Sequence, residues 1–274
     1  MNDTMTIGLT RKPYNWRLLA ILVVAILVSV IMVTPYALTQ QADTLKTMHL
    51  PMPLAILIPI ELLGSTILYG VLAAIGLFAA GKIGLGLPFL ESCLAGKPEW
   101  ERVRKFVLPA IVAGVLAGLA ISLLSKYFFY PHLAAEFSRL GLKLPASPPA
   151  WQGFLASFYG GVTEEILLRL FALSLFAWLA CFVNHTSQGR PGMGALWIAN
   201  ILAAILFGLG HLPAAASMGI PIDAFFVTHA IVLNGLGGLV FGWLYWTFGL
   251  EAAMLSHFTG DIVLHVIPSL LGGH

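Results

Sequence analysis

Charged side chains make up only 9% of the 274 residues, while 59% are hydrophobic; an ordinary soluble domain is about 25% charged. That scarcity excludes a chain surrounded by water throughout its length. Cysteine is nearly missing as well. Cys93 and Cys181 lie far apart, so neither a disulfide framework nor a thiolate metal cluster can be assembled from them, and Cys181 reads as a small apolar packing residue. There is no long run of Lys and Arg. The net charge is +2 and the basic residues are scattered without interleaved aromatics, which leaves no footing for nucleic acid. No internal repeat or low-complexity tract is evident.

What the chain does have is apolar runs of the roughly 20 residues needed to cross a bilayer. They predict an all-α, polytopic transmembrane helix bundle of about seven to eight spans, with residues 1–274 forming one membrane domain and membrane lipid as its constant partner. The first run, 18–33, follows Arg11, Lys12 and Arg17 and has no convincing small-residue cleavage site after it, so it reads as a retained span. The others are expected at 54–80, 106–124, 151–182, 194–211, 224–248 and 252–271. The segment 125–150, with the turn-forming Pro145, Pro148 and Pro149, reads as an exterior or interfacial connection. An eighth span is left open, either after Leu124 or through a break near Gly235. Seven spans with the N-terminus inside put nine basic residues in the cytoplasm (Arg11, Lys12, Arg17, Lys82, Lys97, Arg102, Arg104, Lys105 and Arg190). Four fall outside, namely Lys46, Lys126, Arg139 and Lys143. That is the bias the positive-inside rule requires.

Ionisable residues inside a span cost several kcal/mol unless they face a cavity or a partner, so each marks a candidate site. Three clusters qualify. In Glu164, Glu165 and Arg169, written EEILLR, the spacing of four puts Glu165 and Arg169 on one helix face, while Glu164 points about 100° away. A buried ion-pair staple accounts for one glutamate and leaves the other unexplained. An unpaired carboxylate in a cavity of low dielectric suits a general base or acid. The second cluster is Phe207 and His211 in FGLGH, where a hydrogen-bonded interfacial histidine is the plainer alternative. The third is His257 and Asp261 in HFTGD, again at a spacing of four, which lets the carboxylate fix the imidazole tautomer or simply make a bond along the helix. Placing these side chains in one shared polar cavity is cheaper than burying each alone. Glu61 is a weaker candidate for the same cavity. His229 and Asn234 are expected to pack within the bundle, with a loose pairing between them as the alternative, and His265 has no evident partner.

The order EExxxR, FxxxH and HxxxD over successive membrane helices resembles the CAAX-protease and bacteriocin-processing family, which includes the type II CAAX prenyl endopeptidases. The resemblance covers residues 151–271 and implies a catalytic core there. It implies an intramembrane endopeptidase in a multi-pass protein, expected in a prokaryotic cell membrane with its N-terminus cytoplasmic. The substrate would be a membrane-associated peptide or protein, with a prenylated C-terminal CAAX sequence as one option. By motif position Glu164 is similar to the catalytic glutamate of the family, His211 to the histidine that helps position water, and His257 with Asp261 to the pair that stabilises the oxyanion. Glu165 and Arg169 would support the site. One departure matters: the CAAX endopeptidases carry Asn where this chain has Asp261, and an ionised Asp cannot donate a hydrogen bond.

No cofactor is expected. A zinc-dependent version, with Glu164, His211 and His257 as ligands, is the alternative, since two His and one Glu form a known catalytic set; the HExxH helix is absent. Non-enzymatic alternatives are a membrane transporter, in which the polar residues would line a path, and an immunity protein that binds a peptide without cutting it.

Overall fold

The computed structural model describes residues 14–141 and 147–272; Arg11, Lys12, Lys143, Pro145 and His274 lie outside the described residues. The described residues form helices and connecting turns without a β-strand. Helix α1 (Trp16–Gln40) starts where the Asn15 side chain accepts the amide of Leu18 at 3.1 Å, satisfying one of the donors that a helix N-terminus leaves unpaired. The short α2 (Ala42–Thr47) precedes the long α3 (Leu54–Ile83), and α4 (Pro88–Leu94) leads to α5 (Trp100–Leu124). A π-helical turn at Ser125–Phe129 carries α5 directly into α6 (Tyr130–Arg139). The expected exterior connection after Leu124 is therefore helical as far as Arg139, and it is an extension of one helix instead of a separate span. Polar residues such as His132 and Glu136 mask it in the sequence.

The segment 150–180 is one helical stretch built from α7 (Ala150–Phe158), π-helical turns at Tyr159–Glu164 and Ile166–Leu173, and α8 (Ser174–Ala180). It packs against α1, α3 and, further on, α9 (Met193–Gly210). After α10 (Leu212–Ser217), α11 (Ala224–Phe248) begins at an Asp223 cap that accepts Phe226 N at 2.7 Å. It runs unbroken past Gly235, so no extra span arises there. The chain turns at Gly249 into α12 (Leu250–Asp261), a π-helical turn at Ile262–Val266 and α13 (Ile267–Leu270).

Among the described residues six helices are long and apolar enough to cross a membrane: Trp16–Gln40, Leu54–Ile83, Trp100–Arg139, Met193–Ser217, Ala224–Phe248 and Leu250–Leu270. The expected span at 151–182 has the length, but Glu164, Glu165 and Arg169 dilute its apolar character. It forms the middle of the bundle, with Ile166, Leu170, Leu173 and Ala177 fully buried. Large apolar side chains of α3, α5 and α9, such as Ile60, Leu63, Leu108, Leu116 and Ile198, point outward. An apolar exterior of this extent is what a lipid environment selects. The protein is thus a polytopic helical bundle of the integral membrane class.

Close helix approach fixes the site-bearing α12. A Cβ on Gly114 of α5 would come within 2.2 Å of the Ser256 carbonyl oxygen, a separation only glycine permits.

Candidate active site

Successive residues of a helix point in different directions, and this separates the two glutamates. Glu165 is 0% exposed and its Oε1 lies 2.9 Å from an Arg169 guanidinium nitrogen, with Arg169 1% exposed. The guanidinium is further held between aromatic faces, its carbon 5.0 Å from the Phe207 ring centre and 5.4 Å from that of Phe241, a desolvated cation–π arrangement. The pairing follows from the spacing of four in the sequence. The aromatic sandwich, contributed by α9 and α11, does not.

His257 docks on the same carboxylate. Its Nδ1 is 2.7 Å from Glu165 Oε1. A carboxylate paired with arginine is an acceptor, so Nδ1 carries the proton and donates it. The ring stacks on Phe241 at 4.6 Å between centres and 19° between planes. Nε2 is thereby aimed at two further carboxylates, lying 3.6 Å from Glu164 Oε2 and 3.6 Å from Asp261 Oδ1. Both are more open than Glu165, with side chains 19% and 12% exposed. The site therefore has an inner, dry layer of Arg169, Glu165 and the Nδ1 edge of His257, and an outer layer where Glu164, Asp261 and Nε2 converge.

His211 caps the end of α9. Its Nδ1 lies 2.9 Å from the Phe207 carbonyl oxygen, which only accepts, so Nδ1 donates and Nε2 is left with a lone pair in the neutral ring. The ring of Phe207 touches both histidines, 5.1 Å from His211 and 5.5 Å from His257 between centres. With uniform straight spans the two histidines would sit at different depths; the short α9 and the one-turn reach of Phe207 bring them to one aromatic ring.

Two weaker sequence candidates stay outside the site. Glu61 is exposed on the outside of α3 and does not enter the site. His229 and Asn234 do not pair: Asn234 donates to the Ala230 carbonyl at 2.9 Å, and His229 packs on the rings of Phe129 and Phe226. Residues that motif reading passed over also shape the site. Ser29 of α1 meets Thr163, next to Glu164, at 2.5 Å between hydroxyls. His265, read as partnerless, contacts Asp261 and Tyr36.

Gly160, one turn before Glu164, is the position where the helix gives way to the site. A Cβ there would stand 2.1 Å from Asp261 Oδ2 and 3.1 Å from His257 Nε2. Gly160→Ala is therefore expected to destabilise the protein by about 1–3 kcal/mol through overpacking. Gly64→Ala in α3, where a Cβ meets nothing within 4 Å, should be neutral or stabilising, since alanine is the better helix former. Thermal unfolding of the two variants side by side checks this, and equal stabilities would contradict the close packing.

The π-helical turns at Tyr159–Glu164, Ile166–Leu173 and Ile262–Val266 bracket every one of these contacts on α7–α8 and α12. Such turns recur at functional sites because they redirect side chains that a regular helix would hold in register.

No curated protein and no solved structure matches the chain. Residues 145–263 match the family model described as "Type II CAAX prenyl endopeptidase Rce1-like", a segment that holds all three polar motifs. Over this segment the chain is similar to the CAAX-protease and bacteriocin-processing family.

Proposed function

We propose that this protein is an intramembrane endopeptidase in which Glu164 activates a water molecule for direct attack on a peptide carbonyl. The observation that carries the reading is the division of labour between adjacent glutamates: Glu165 is fully buried and neutralised by Arg169, while Glu164 is partly open and lies 3.6 Å from His257 Nε2. A carboxylate that no guanidinium neutralises is the one free to take a proton. His211, whose Nε2 lone pair is unspent, helps hold the water. As the tetrahedral intermediate forms, its oxyanion takes a hydrogen bond from His257 Nε2–H. The doubly protonated ring finds an acceptor at each nitrogen, Glu165 on one side and Glu164 or Asp261 on the other, so the cluster suits that form. Glu164 then passes its proton to the leaving amine. The C–N bond breaks and a carboxylate and an amine are released, with no covalent enzyme intermediate.

The substrate class proposed is a membrane-associated peptide, with a C-terminal CAAX sequence as the first to test. The distribution of basic residues supports a cytoplasmic N-terminus. Purified protein in detergent or lipid should cut prenylated or unprenylated peptides of this class, read by mass spectrometry of the fragments. Failure to cut any such peptide by folded protein would contradict the reading and return the transporter and binding alternatives.

The mechanism proposed is metal-free. The hydrogen bond at Nδ1 of each histidine leaves its Nε2 edge open, for water and the oxyanion in this reading and for zinc in the alternative. Cleavage should survive phenanthroline, with its non-chelating isomer as the control. Loss with the chelator alone, restored by stoichiometric zinc, would move Glu164, His211 and His257 to metal ligation.

A further inference from the structure

The run HFTGDIVLH places His257, Asp261 and His265 at successive steps of four, so Asp261 has a histidine on each side along one helix face. The π-helical turn Ile262–Val266 widens the helix at this point and keeps His265 over Asp261. His265 Nε2 lies 3.9 Å from Asp261 Oδ1. Its other nitrogen, Nδ1, is 3.2 Å from the Tyr36 hydroxyl on α1, and the two rings meet edge-on at 5.6 Å between centres. One helical turn along α1, the Gln40 side-chain amide donates to the Tyr36 oxygen at 3.3 Å.

The neighbours of the Tyr36 hydroxyl favour one order of donors in this chain. The amide nitrogen of Gln40 only donates, so the Tyr36 oxygen accepts. The phenol has a single proton, and the proposed order sends it to the other neighbour, His265 Nδ1, as acceptor. A neutral His265 then carries its own proton on Nε2, the edge that faces Asp261. The gap of 3.9 Å is about 1 Å longer than a full hydrogen bond, and the proposal has the two side chains close it.

We propose that His265, oriented by Tyr36 and Gln40, is a positioning residue that holds Asp261 as an ionised hydrogen-bond acceptor. Asp261 then accepts from His265 and has no proton to offer an oxyanion, so that contact falls to His257 Nε2–H alone. This explains how an aspartate serves where the CAAX endopeptidases have asparagine: the relay from α1 supplies the orientation that an amide would achieve with its own donor. The catalytic meaning rests on the peptidase reading above. The order of the hydrogen bonds does not.

Two measurements on the full-length protein test the proposal separately. In protein labelled with 15N-histidine, the His265 ring, assigned by its loss in His265→Gln, should show the Nε2–H tautomer, and Tyr36→Phe should shift it toward a mixture. An Nδ1–H tautomer in the unaltered protein would overturn the relay whether or not the protein cuts peptides. In peptide cleavage, His265→Gln should lower kcat by about 10-fold, the scale of outer-shell partners, with KM unchanged. In the Asp261→Asn background the same replacement should cost less than twofold, because the carboxylate it holds is gone and the amide in its place carries its own donor. A merely structural histidine would cost the same in both backgrounds, and that result would overturn the positioning role. Absence of cleavage by the unaltered protein would instead defeat the peptidase reading, leaving the spectrum to decide the relay.

Discussion

Glu164→Gln is expected to fold and bind peptide as the unaltered protein does while its kcat falls by about 10² to 10⁴-fold, the range for loss of a positioned general base. The amide keeps the shape of the side chain and an oxygen that can accept from His257 Nε2, 3.6 Å away in the unaltered site. It removes only the capacity to take a proton from water. Because Glu164 is 19% exposed and, unlike Glu165, is not held by a guanidinium, replacement strands no buried arginine, and thermal stability should be nearly unchanged. Matched unfolding curves with kcat within twofold of the unaltered value would show that another group is the base.

Arg169→Ala should have the opposite signature, a large loss of stability. The guanidinium neutralises a Glu165 carboxylate that is 0% exposed, and removing one member of a buried pair costs about 3–5 kcal/mol. Converted at the slope for domains of comparable size, that is a fall in Tm of roughly 6–20 °C. The aromatic faces of Phe207 and Phe241 would also lose the cation between them. Replacing both partners, as in Glu165→Leu with Arg169→Leu, should recover much of the stability, since apolar substitution of a whole buried pair is tolerated. It should not recover activity, because His257 Nδ1 loses its acceptor. Unfolding of the detergent-solubilised single and double variants checks both statements, and an Arg169→Ala protein as stable as the original would refute the pairing.

The parts of this arrangement that could be read in the sequence are those governed by local rules. Helix α11 was expected at 224–248 and is found there, because an apolar run bounded by a capping Asp223 and by Gly249 has few other options. The Glu165–Arg169 bond follows from a spacing of four on one helix. Where the physics is long-range, the sequence is silent. His257 was expected to use Asp261, four residues on, as its partner, yet its short hydrogen bond goes to Glu165 on another helix, since only packing decides which carboxylate meets Nδ1. Phe241 under the imidazole and Gly160 beside it are ordinary membrane residues until the helices are assembled. His265 is a different case: its spacing from Asp261 was visible, but its meaning depended on Tyr36, more than two hundred positions away.

The central claim is that water, activated by Glu164, attacks the peptide bond directly. It is tested most directly by single-turnover cleavage of a membrane-associated peptide in 18O-labelled water, with hydroxylamine present and the products weighed by mass spectrometry. The account predicts one 18O atom in the new carboxylate, no hydroxamate and no adduct of peptide with protein. A hydroxamate product, or peptide covalently held on a side chain of the protein, would contradict it.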